Sequence, residues 1–367
     1  MKILIAAGGT GGHIYPGLAI AEKIKKENPD AEIIFIGSMV GMEKNIIPQT
    51  GYPIEYIRVR GFERQLSLET LAAFKGIFDG LQDSKKVLNH HQPDLVIGTG
   101  GFTSGPLLLL ASRRKIPTMI HEQNAFPGRS NRMLGKKVDR IAISFQEANR
   151  YFPEGKTFLA GNPVRSEYYD LNRQTCRENL GLLDSQKMVL IMGGSQGAGS
   201  INQGALGLMK AWDNRSDRVI YHLTGKQQYH QVLESMNAQG LASFENNHIE
   251  AYSNEVYGLL GAADLVISRS GAMSVAEIAA VGTPSILVPY PMAAGNHQEF
   301  NARVITDHGG GLLIEDSALT GELLLQTVED LLKDEILLQN MRAITKKSRI
   351  FDAVDRIYDE INKLMEC

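Results

Sequence analysis

The stretch DLVISRSGAMSVAEIAAVGTPSILVPYPMAAGNHQEFN, Asp264 to Asn301, decides how the chain is read. Leu265, Val266 and Ile267 form an apolar run that Ser270 and Gly271 break. An Ala-rich segment with helical patterning then runs to Gly282, and Pro284 blocks its continuation. A second buried strand, Ser285 to Val288, leads through a proline-bracketed loop to another helix start at His297-Gln298. Two strand-loop-helix units in succession predict two helix N-termini opening on one side of a parallel sheet, where α/β proteins bind phosphates and sugars.

The polar residues at that mouth are Arg269, Ser270, Ser274, Glu277, Asn296, His297, Gln298 and Glu299. They supply donors for a diphosphate, an acceptor for ribose hydroxyls and amide-type groups for a hexose. Ser274-x-x-Glu277 also fits a capping box, in which Glu277 would only satisfy backbone amides. If the helix begins near Gly271 instead, Glu277 lies a turn too deep for capping and can face a ribose. The residues alone leave both open.

Outward from this stretch, the chain opens each half with the same unit. Lys2 to Ala7 precedes GGTGGH and a helix whose first turn suits Pro16; Met188 to Met192 precedes GGSQGAG and the helix after Ser200. Further apolar runs alternate with helical patterns: Ile33–Ile36, Leu95–Gly98 and Thr118–Ile120 in the first half, Val219–Leu223, Leu265–Ile267 and Ser285–Val288 in the second. This pattern predicts an α/β protein of two Rossmann-like domains with parallel sheets, in a 367-residue chain long enough for both. Gly161-Asn162-Pro163 marks the boundary, giving domains 1–163 and 164–345. A helical segment, 346–367, follows completion of the second sheet and is expected to pack back towards the first domain.

Two cysteines, Cys176 and Cys367, offer neither a disulfide framework nor metal-ligand spacing. No segment approaches the ~20 apolar residues of a membrane span, so the protein is expected to be soluble or bound to a membrane surface. The net charge of −3 argues against nucleic acid as a partner. Residues 1–163 nevertheless carry 21 Lys+Arg against 15 Asp+Glu, and the remainder 17 against 26. A basic half joined to an acidic one suggests that one domain faces a polyanion or an anionic surface. Leu71, Phe74, Ile77, Phe78 and Leu81, on a helix that Ser67 can cap, cover an arc no wider than a core stripe and taken alone read as core; with Leu66 and Leu68 before them and Arg58, Arg60, Arg64, Lys85 and Lys86 flanking, they also fit such a surface. So do Leu107 to Leu110 before Arg113-Arg114-Lys115.

Three glycine-rich loops follow strands: Gly8 to His13, Gly98 to Gly105 and Gly193 to Gly199. Glycine lets backbone N–H groups approach an anion, and the following helix adds its dipole; any one loop alone reads as a tight strand-to-helix turn, while three in one chain point to anion binding. None has the Gly-Lys-Ser/Thr of a Walker loop or the G-x-G-x-x-G fingerprint. No acid ends the next strand, at Ile36-Gly37-Ser38 or Leu223-Thr224-Gly225, which disfavours a dinucleotide dehydrogenase. No Asp-x-Asp or His/Cys cluster suggests a metal clamp, so leaving-group charge falls to helix N-termini and to Arg165 or Arg269. His13, at a helix N-terminus, is expected to be a neutral imidazole able to accept a proton, or else a packed residue. His121-Glu122-Gln123-Asn124 follows a strand, and four consecutive polar residues there are expected to need a ligand.

In order, GGTGGHIYPGLAIA, GTGGFTSGP, HEQNAFPG, GNPVR, GGSQGA, SRSGAMSVAEIAAVGTPSILVP and HQEFNA span essentially the whole chain and resemble the GT-B glycosyltransferases. Among these the resemblance is to the enzymes that add N-acetylglucosamine to lipid-linked muramyl-pentapeptide in peptidoglycan synthesis. It implies inverting, metal-independent transfer from UDP-N-acetylglucosamine, without a cofactor, in a cleft between two domains. It also implies a peripheral position on the cytoplasmic face of the bacterial cell membrane, with a cell-wall synthesis complex as a candidate partner. It puts Ser195 and the GGSQGA backbone on the diphosphate, and Arg269, Ser270, Ala272, Met273 and Ser274 around uridine and phosphate. Glu277 falls on the ribose, His297 and Gln298 on the hexose, and Arg165 and Asn124 among the donor contacts. Thr10, Gly11 and Gly12, with Gly100, Gly101, Thr103 and Ser104, would cradle the diphosphates, the latter four on the acceptor side. His13 becomes the candidate base, with Glu122 its competitor. A UDP-sugar epimerase and a non-catalytic nucleotide-sugar-binding subunit are the alternatives.

Overall fold

Lys2–Ala7 (β1) is the central strand of the first of two units, and its side chains alternate between two cores. Ile3 and Ile5 pack with Ile14, Leu18 and Ile24, while Leu4 and Ala6 face Ile57, Leu88, Leu107 and Leu108. Each of these leucines and isoleucines contributes about 1.5–3 kcal/mol by leaving water, and β1 accordingly carries only one charge. The computed structural model describes residues 1–59, 68–169, 171–194, 196–241 and 246–366; the side chains of 68–75 and 77 also lie outside the described set. Ser195, Cys367, Arg60, Arg64, Leu66 and Ser67, together with the side chains of Leu68, Leu71, Phe74 and Ile77, therefore lie outside the described residues.

The units comprise residues 1–163 with 352–367, and residues 164–351. Beside β1, the first contains Glu32–Gly37 (β2), Ile54–Tyr56 (β3), Leu95–Gly100 (β4), Thr118–Glu122 (β5), Arg140–Ile143 (β6) and Thr157–Leu159 (β7). They form one parallel sheet in the order β3-β2-β1-β4-β5-β6-β7. The second contains Lys187–Met192 (β8), Arg218–Leu223 (β9), Asn247–Glu250 (β10), Leu265–Ser268 (β11), Ser285–Leu287 (β12) and Gly311–Leu313 (β13). Its order is β10-β9-β8-β11-β12-β13, again parallel. Each sheet reverses its winding once, between β1 and β4 and between β8 and β11. The crevice beyond the carboxyl ends of such a strand pair is where an open α/β sheet binds its ligand.

The helix Ala353–Glu366 packs on the helix Gly11–Glu27 of the first unit, burying Ile357 and Ile361 beside Ile24. Lys23 Nζ lies 2.7 Å from Asp355 Oδ1, and Arg140 pairs with Glu360. Residues 346–351 stay with the second unit, where the helix Glu335–Lys347 continues past 345 and Tyr169 Oη donates to Ile350 O at 2.8 Å. Pro16 also lies deeper than the first turn, because the helix starts at Gly11. The amide it lacks would have reached only Gly12, so one bond is lost near an end already short of partners.

Candidate active site

At the first switch point the loops after β1 and β4 touch backbone to backbone. A Cβ on Gly101 would stand 2.3 Å from Gly8 O, and one on Gly100 would stand 2.6 Å from Cδ2 of His13. Both glycines have positive φ, 114° and 82° for Gly100 and Gly101, so no other residue lets this loop close over the histidine. Thr10 occupies the N-cap position without a side-chain bond; Gly11 and Gly12 begin the helix, and His13 is half-buried in its first turn. His13 Nδ1 lies 3.0 Å from Gly8 O. A carbonyl can only accept, so Nδ1 carries the proton and Nε2 is the basic nitrogen. Ser104 is wholly buried, with its hydroxyl between Ala6 O at 3.2 Å and Gly100 O at 2.9 Å. Its role is to hold the β4 turn, whereas the buried Thr103 Oγ1 has no hydrogen-bond partner among the described residues.

The run His121 to Asn124 corrects the expectation that it needs a ligand. His121, Glu122 and Gln123 are buried and partnered within the unit. His121 Nε2 donates to Gly161 O at 3.0 Å, and its Nδ1 accepts from Gln123 Nε2 at 3.0 Å. Burial lowers its pKa to about 4, against the Gly161 hydrogen bond, so it is neutral. Gln123 Nε2 also donates to Thr99 O at 2.6 Å. Glu122 accepts from Asn124 N at 2.9 Å, Asn124 Nδ2 at 3.1 Å, Gly128 N at 3.1 Å and Asn131 Nδ2 at 2.9 Å. Four donors commit both carboxylate oxygens to the turn that follows β5, which leaves Glu122 poorly placed as a base. Asn124 is the half-buried member of the run.

In the second unit, the loops after β8 and β9 make an equally close passage. A Cβ on Gly197 would lie 2.4 Å from Thr224 O, and one on Gly225 would lie 2.1 Å from Gly197 N. The helix Gly199–Ala211 opens directly from this loop. After β11, Gly271 is the N-cap and the helix runs Ala272–Val281. Ala272, Met273 and Ser274 therefore form its first turn, and Glu277 lies a turn beyond it. That start excludes the Ser274/Glu277 capping box. Burial pushes the Glu277 carboxyl up to about 7, while a Tyr168 hydrogen bond and the Arg165 charge oppose the shift.

Arg165 lies 5.5 Å from the ring centroids of both Tyr168 and Tyr257, and its Nη2 donates to Asn254 O at 3.1 Å. The two candidate arginines differ. Arg269 Nη1 donates to Val288 O and Pro289 O at 3.1 Å each and pairs with Asp316, while Nη2 reaches Ser200 Oγ at 3.1 Å. Asp316 neutralises it, so Arg269 braces the loops after β11 and β12 rather than offering an uncompensated charge. Ser270 is wholly buried; its hydroxyl has no partner among the described residues, while its carbonyl accepts from Asn301 Nδ2 at 3.2 Å. In the helix His297–Thr306, His297 Nδ1 donates to Ala294 O at 2.9 Å, and Gln298 Oε1 accepts from Tyr290 N at 2.9 Å.

Sequence reasoning missed Tyr168, Asp316 and Glu43. Tyr168 stands three residues after Arg165 on a 3-10 turn, a spacing that could have suggested the pair. Asp316 and Glu43 belong to no motif that the sequence singles out. It also found no metal-ligating cluster, yet Glu55, His90 and His91 bring ligand atoms within 4.8 Å of one another. They belong to β3 and to the end of the helix Leu68–His91, not to the glycine loops.

Residues 3–143 match the Glycosyltransferase family 28 N-terminal domain, and residues 188–357 match the Glycosyltransferase family 28 C-terminal domain. Over 367 residues, 100% of this chain and 99% of the relative, the chain is 44% identical to the UDP-N-acetylglucosamine–N-acetylmuramyl-(pentapeptide) pyrophosphoryl-undecaprenol N-acetylglucosamine transferase of Acetivibrio thermocellus. It is 39% identical to transferase 1 of that name from Bacillus cereus over 366 residues, 100% of both chains. The crystal structure of Acinetobacter baumannii MurG is similar with a TM-score of 0.78 at 27% identity, covering 99% of each chain. UDP-GlcNAc 2-epimerase from Neisseria meningitidis, bound to UDP-GlcNAc, reaches a TM-score of 0.69 at 15% identity over 99% of this chain and 100% of its own, a likeness of fold alone. With both domains matched and full-length identity well above the level of shared fold, the chain has the GT-B fold and belongs to the glycosyltransferase family 28 enzymes named UDP-N-acetylglucosamine–N-acetylmuramyl-(pentapeptide) pyrophosphoryl-undecaprenol N-acetylglucosamine transferases.

Proposed function

We infer that the protein transfers N-acetylglucosamine from UDP-N-acetylglucosamine to the 4-hydroxyl of lipid-linked muramyl-pentapeptide, with inversion at the anomeric carbon. The observation that carries this reading is the 44% identity along the whole length of a transferase of that name. The donor nucleotide lies at the second switch point, with Glu277 on the ribose and Gln298 on the hexose. The glycine loop 193–199, including Ser195, holds the diphosphate against the N-terminus of the helix Gly199–Ala211. As the bond from the anomeric carbon to the UDP oxygen breaks, the amides of that loop and helix start take up the leaving charge. Nε2 of His13 removes the proton of the acceptor hydroxyl, whose oxygen forms the new bond from the opposite face. Base catalysis of this kind is worth roughly 10²–10⁴-fold.

Among the described residues no helix is long and apolar enough to cross a membrane. The protein works as a peripheral enzyme on the cytoplasmic face of the membrane, with the first unit docked on anionic lipid. The test is an acceptor-dependence assay with UDP-N-acetylglucosamine. UDP release that requires the lipid-linked acceptor and yields a β-linked product supports the reading. UDP-N-acetylmannosamine formed without acceptor would point to an epimerase, and binding without turnover to a nucleotide-sugar-binding subunit.

A further inference from the structure

Glu43 is wholly buried at the start of the short helix Glu43–Ile46, which follows β2. Burying a carboxylate is costly, and among the described residues this one has no ion-pair partner. Three donors satisfy it instead. Oε1 accepts from Ser38 N at 2.8 Å and Ser38 Oγ at 2.7 Å, and Oε2 accepts from Gly9 N at 2.8 Å. The chain makes room for it with glycine: a Cβ on Gly41 would lie 1.9 Å from Oε2, and one on Gly37 would lie 2.6 Å from Cγ. Met42 N adds a second tie, 3.3 Å from Gly9 O.

The N–H of Gly9 and the C=O of Gly8 belong to one peptide unit, planar and pointing in opposite directions in the trans form. That carbonyl is the one that accepts from His13 Nδ1 at 3.0 Å. A single peptide therefore connects a buried carboxylate on one side to an imidazole N–H on the other. Charge on Glu43 polarises the amide and makes Gly8 O a stronger acceptor, because hydrogen bonds in a chain strengthen one another. The effect is to hold the proton on Nδ1, fix the ring orientation and stabilise the imidazolium that forms when Nε2 takes up a proton.

We propose that Glu43 is a positioning residue for His13, acting through the Gly8–Gly9 peptide. Its catalytic consequence rests on His13 being the base; its structural consequence, the tautomer of His13, does not. Ser38 supplies the control, since Ser38→Ala removes a hydrogen bond from Glu43 without touching the Gly9 contact.

The experiment combines steady-state kinetics with ¹⁵N NMR of the full-length protein labelled at histidine, the His13 signal being assigned with His13→Ala. Glu43→Gln is expected to lower kcat about 10-fold, the scale of one hydrogen bond to a charged group, with KM for UDP-N-acetylglucosamine little changed. In the same variant the His13 signal should move away from the Nδ1–H tautomer. Glu43→Asp should keep part of both properties, Ser38→Ala should leave the tautomer as in the parent, and Glu43→Gln should add nothing to His13→Ala. An unchanged His13 tautomer in Glu43→Gln overturns the inference, as does an equal tautomer change in Ser38→Ala. Full turnover in His13→Ala would instead sink the reading of His13 as base, and the tautomer would still decide the role of Glu43.

Discussion

Tyr168 and Arg165 are the two groups that act on the Glu277 carboxyl, and the Arg165 guanidinium lies 5.5 Å from the centroid of the Tyr168 ring. Burial outweighs both partners and raises Glu277 from 4.5 to about 7. An ionised carboxylate accepts from hydroxyls, so if Glu277 holds the ribose as proposed, binding favours loss of its proton. Uridine affinity should therefore rise as pH rises through about 7, and Glu277→Gln should remove the dependence. Uridine, which lacks phosphate, avoids titration of the ligand in this window. Calorimetry in which 2′,3′-dideoxyuridine shows the same rise would detach Glu277 from the ribose.

The same shift has a consequence for stability. A group whose folded pKa exceeds its unfolded value adds stability below the unfolded value and loses it as pH rises through the folded one. Relative to Glu277→Gln, the parent protein should lose thermal stability between about pH 4.5 and 7. Melting curves at pH 5 and pH 8 compare the two directly. A parallel response of both proteins would contradict the raised carboxyl.

His13→Ala should lower kcat by roughly 10²–10⁴ while leaving donor affinity nearly intact, because the base acts on the acceptor proton in the transition state. Glu122→Gln tests the competitor. It should cost stability, since an amide group replaces an acceptor facing four donors, and its remaining folded fraction should turn over. Kinetics normalised to folded protein distinguish the two; loss of turnover in folded Glu122→Gln with an active His13→Ala would reverse the assignment.

Much of the fold was legible because the central strands are apolar on both faces. β1, β8 and β11 are uninterrupted apolar runs ended by glycine or serine loops. The edge strands β3, β7, β10 and β13 were not read. Each has only three or four residues, and β10 is Asn-His-Ile-Glu with half of its side chains exposed. For the site, the difficulty was where polar side chains find their partners. The partners of His121 to Gln123 include Gly161, Thr99 and Asn131, which only the sheet brings together. Glu43 was invisible for the same reason, since its contact with Gly9 spans β2 and the first helix. Glu277 turned on where its helix starts, and a glycine N-cap announces that weakly beside a nearby serine.

Asp264 links β8 and β11 at the strand ends opposite the glycine loops. It accepts from Met188 N at 2.8 Å and pairs with Arg173 at 2.9 Å and the buried Arg177 at 3.4 Å. Removing the carboxylate leaves Arg177 without its counter-charge, which costs about 3–5 kcal/mol for a buried pair. Asp264→Ala should therefore lower the unfolding free energy of the second unit by that amount. Trp212, the only tryptophan, is buried in this unit, and its fluorescence reports the transition. UDP affinity at a temperature where the variant is folded should be unchanged; a shift in the transition below about 1 kcal/mol would mean that the arginines find other acceptors.

If the first unit docks on lipid as proposed, only some of its apolar and basic residues are placed to make the contact. Leu107 and Leu108 are core residues, and Leu109 and Leu110 pack against the same core, so this leucine run has internal cover. Arg58 is held by Asp83 through two bonds of 2.8 Å, which leaves it little charge to offer a headgroup. Arg113, Arg114 and Lys115 are exposed at the end of the helix Ser104–Arg113. The neighbouring helix Leu68–His91 shows Phe78 with 61% of its surface exposed and Lys85 and Lys86 in solvent. An apolar ring among exposed cations suits an interfacial contact, each cation contributing about 1 kcal/mol on anionic lipid. Replacing Arg113, Arg114 and Lys115 by serine should then weaken partitioning to anionic vesicles by about 10²-fold, and Phe78→Ser should weaken it further. Arg58→Ser should have little effect on binding. Sedimentation with vesicles of graded anionic content and salt checks all of these together, and binding that ignores lipid charge, salt and the triple substitution would place the membrane contact elsewhere on the unit.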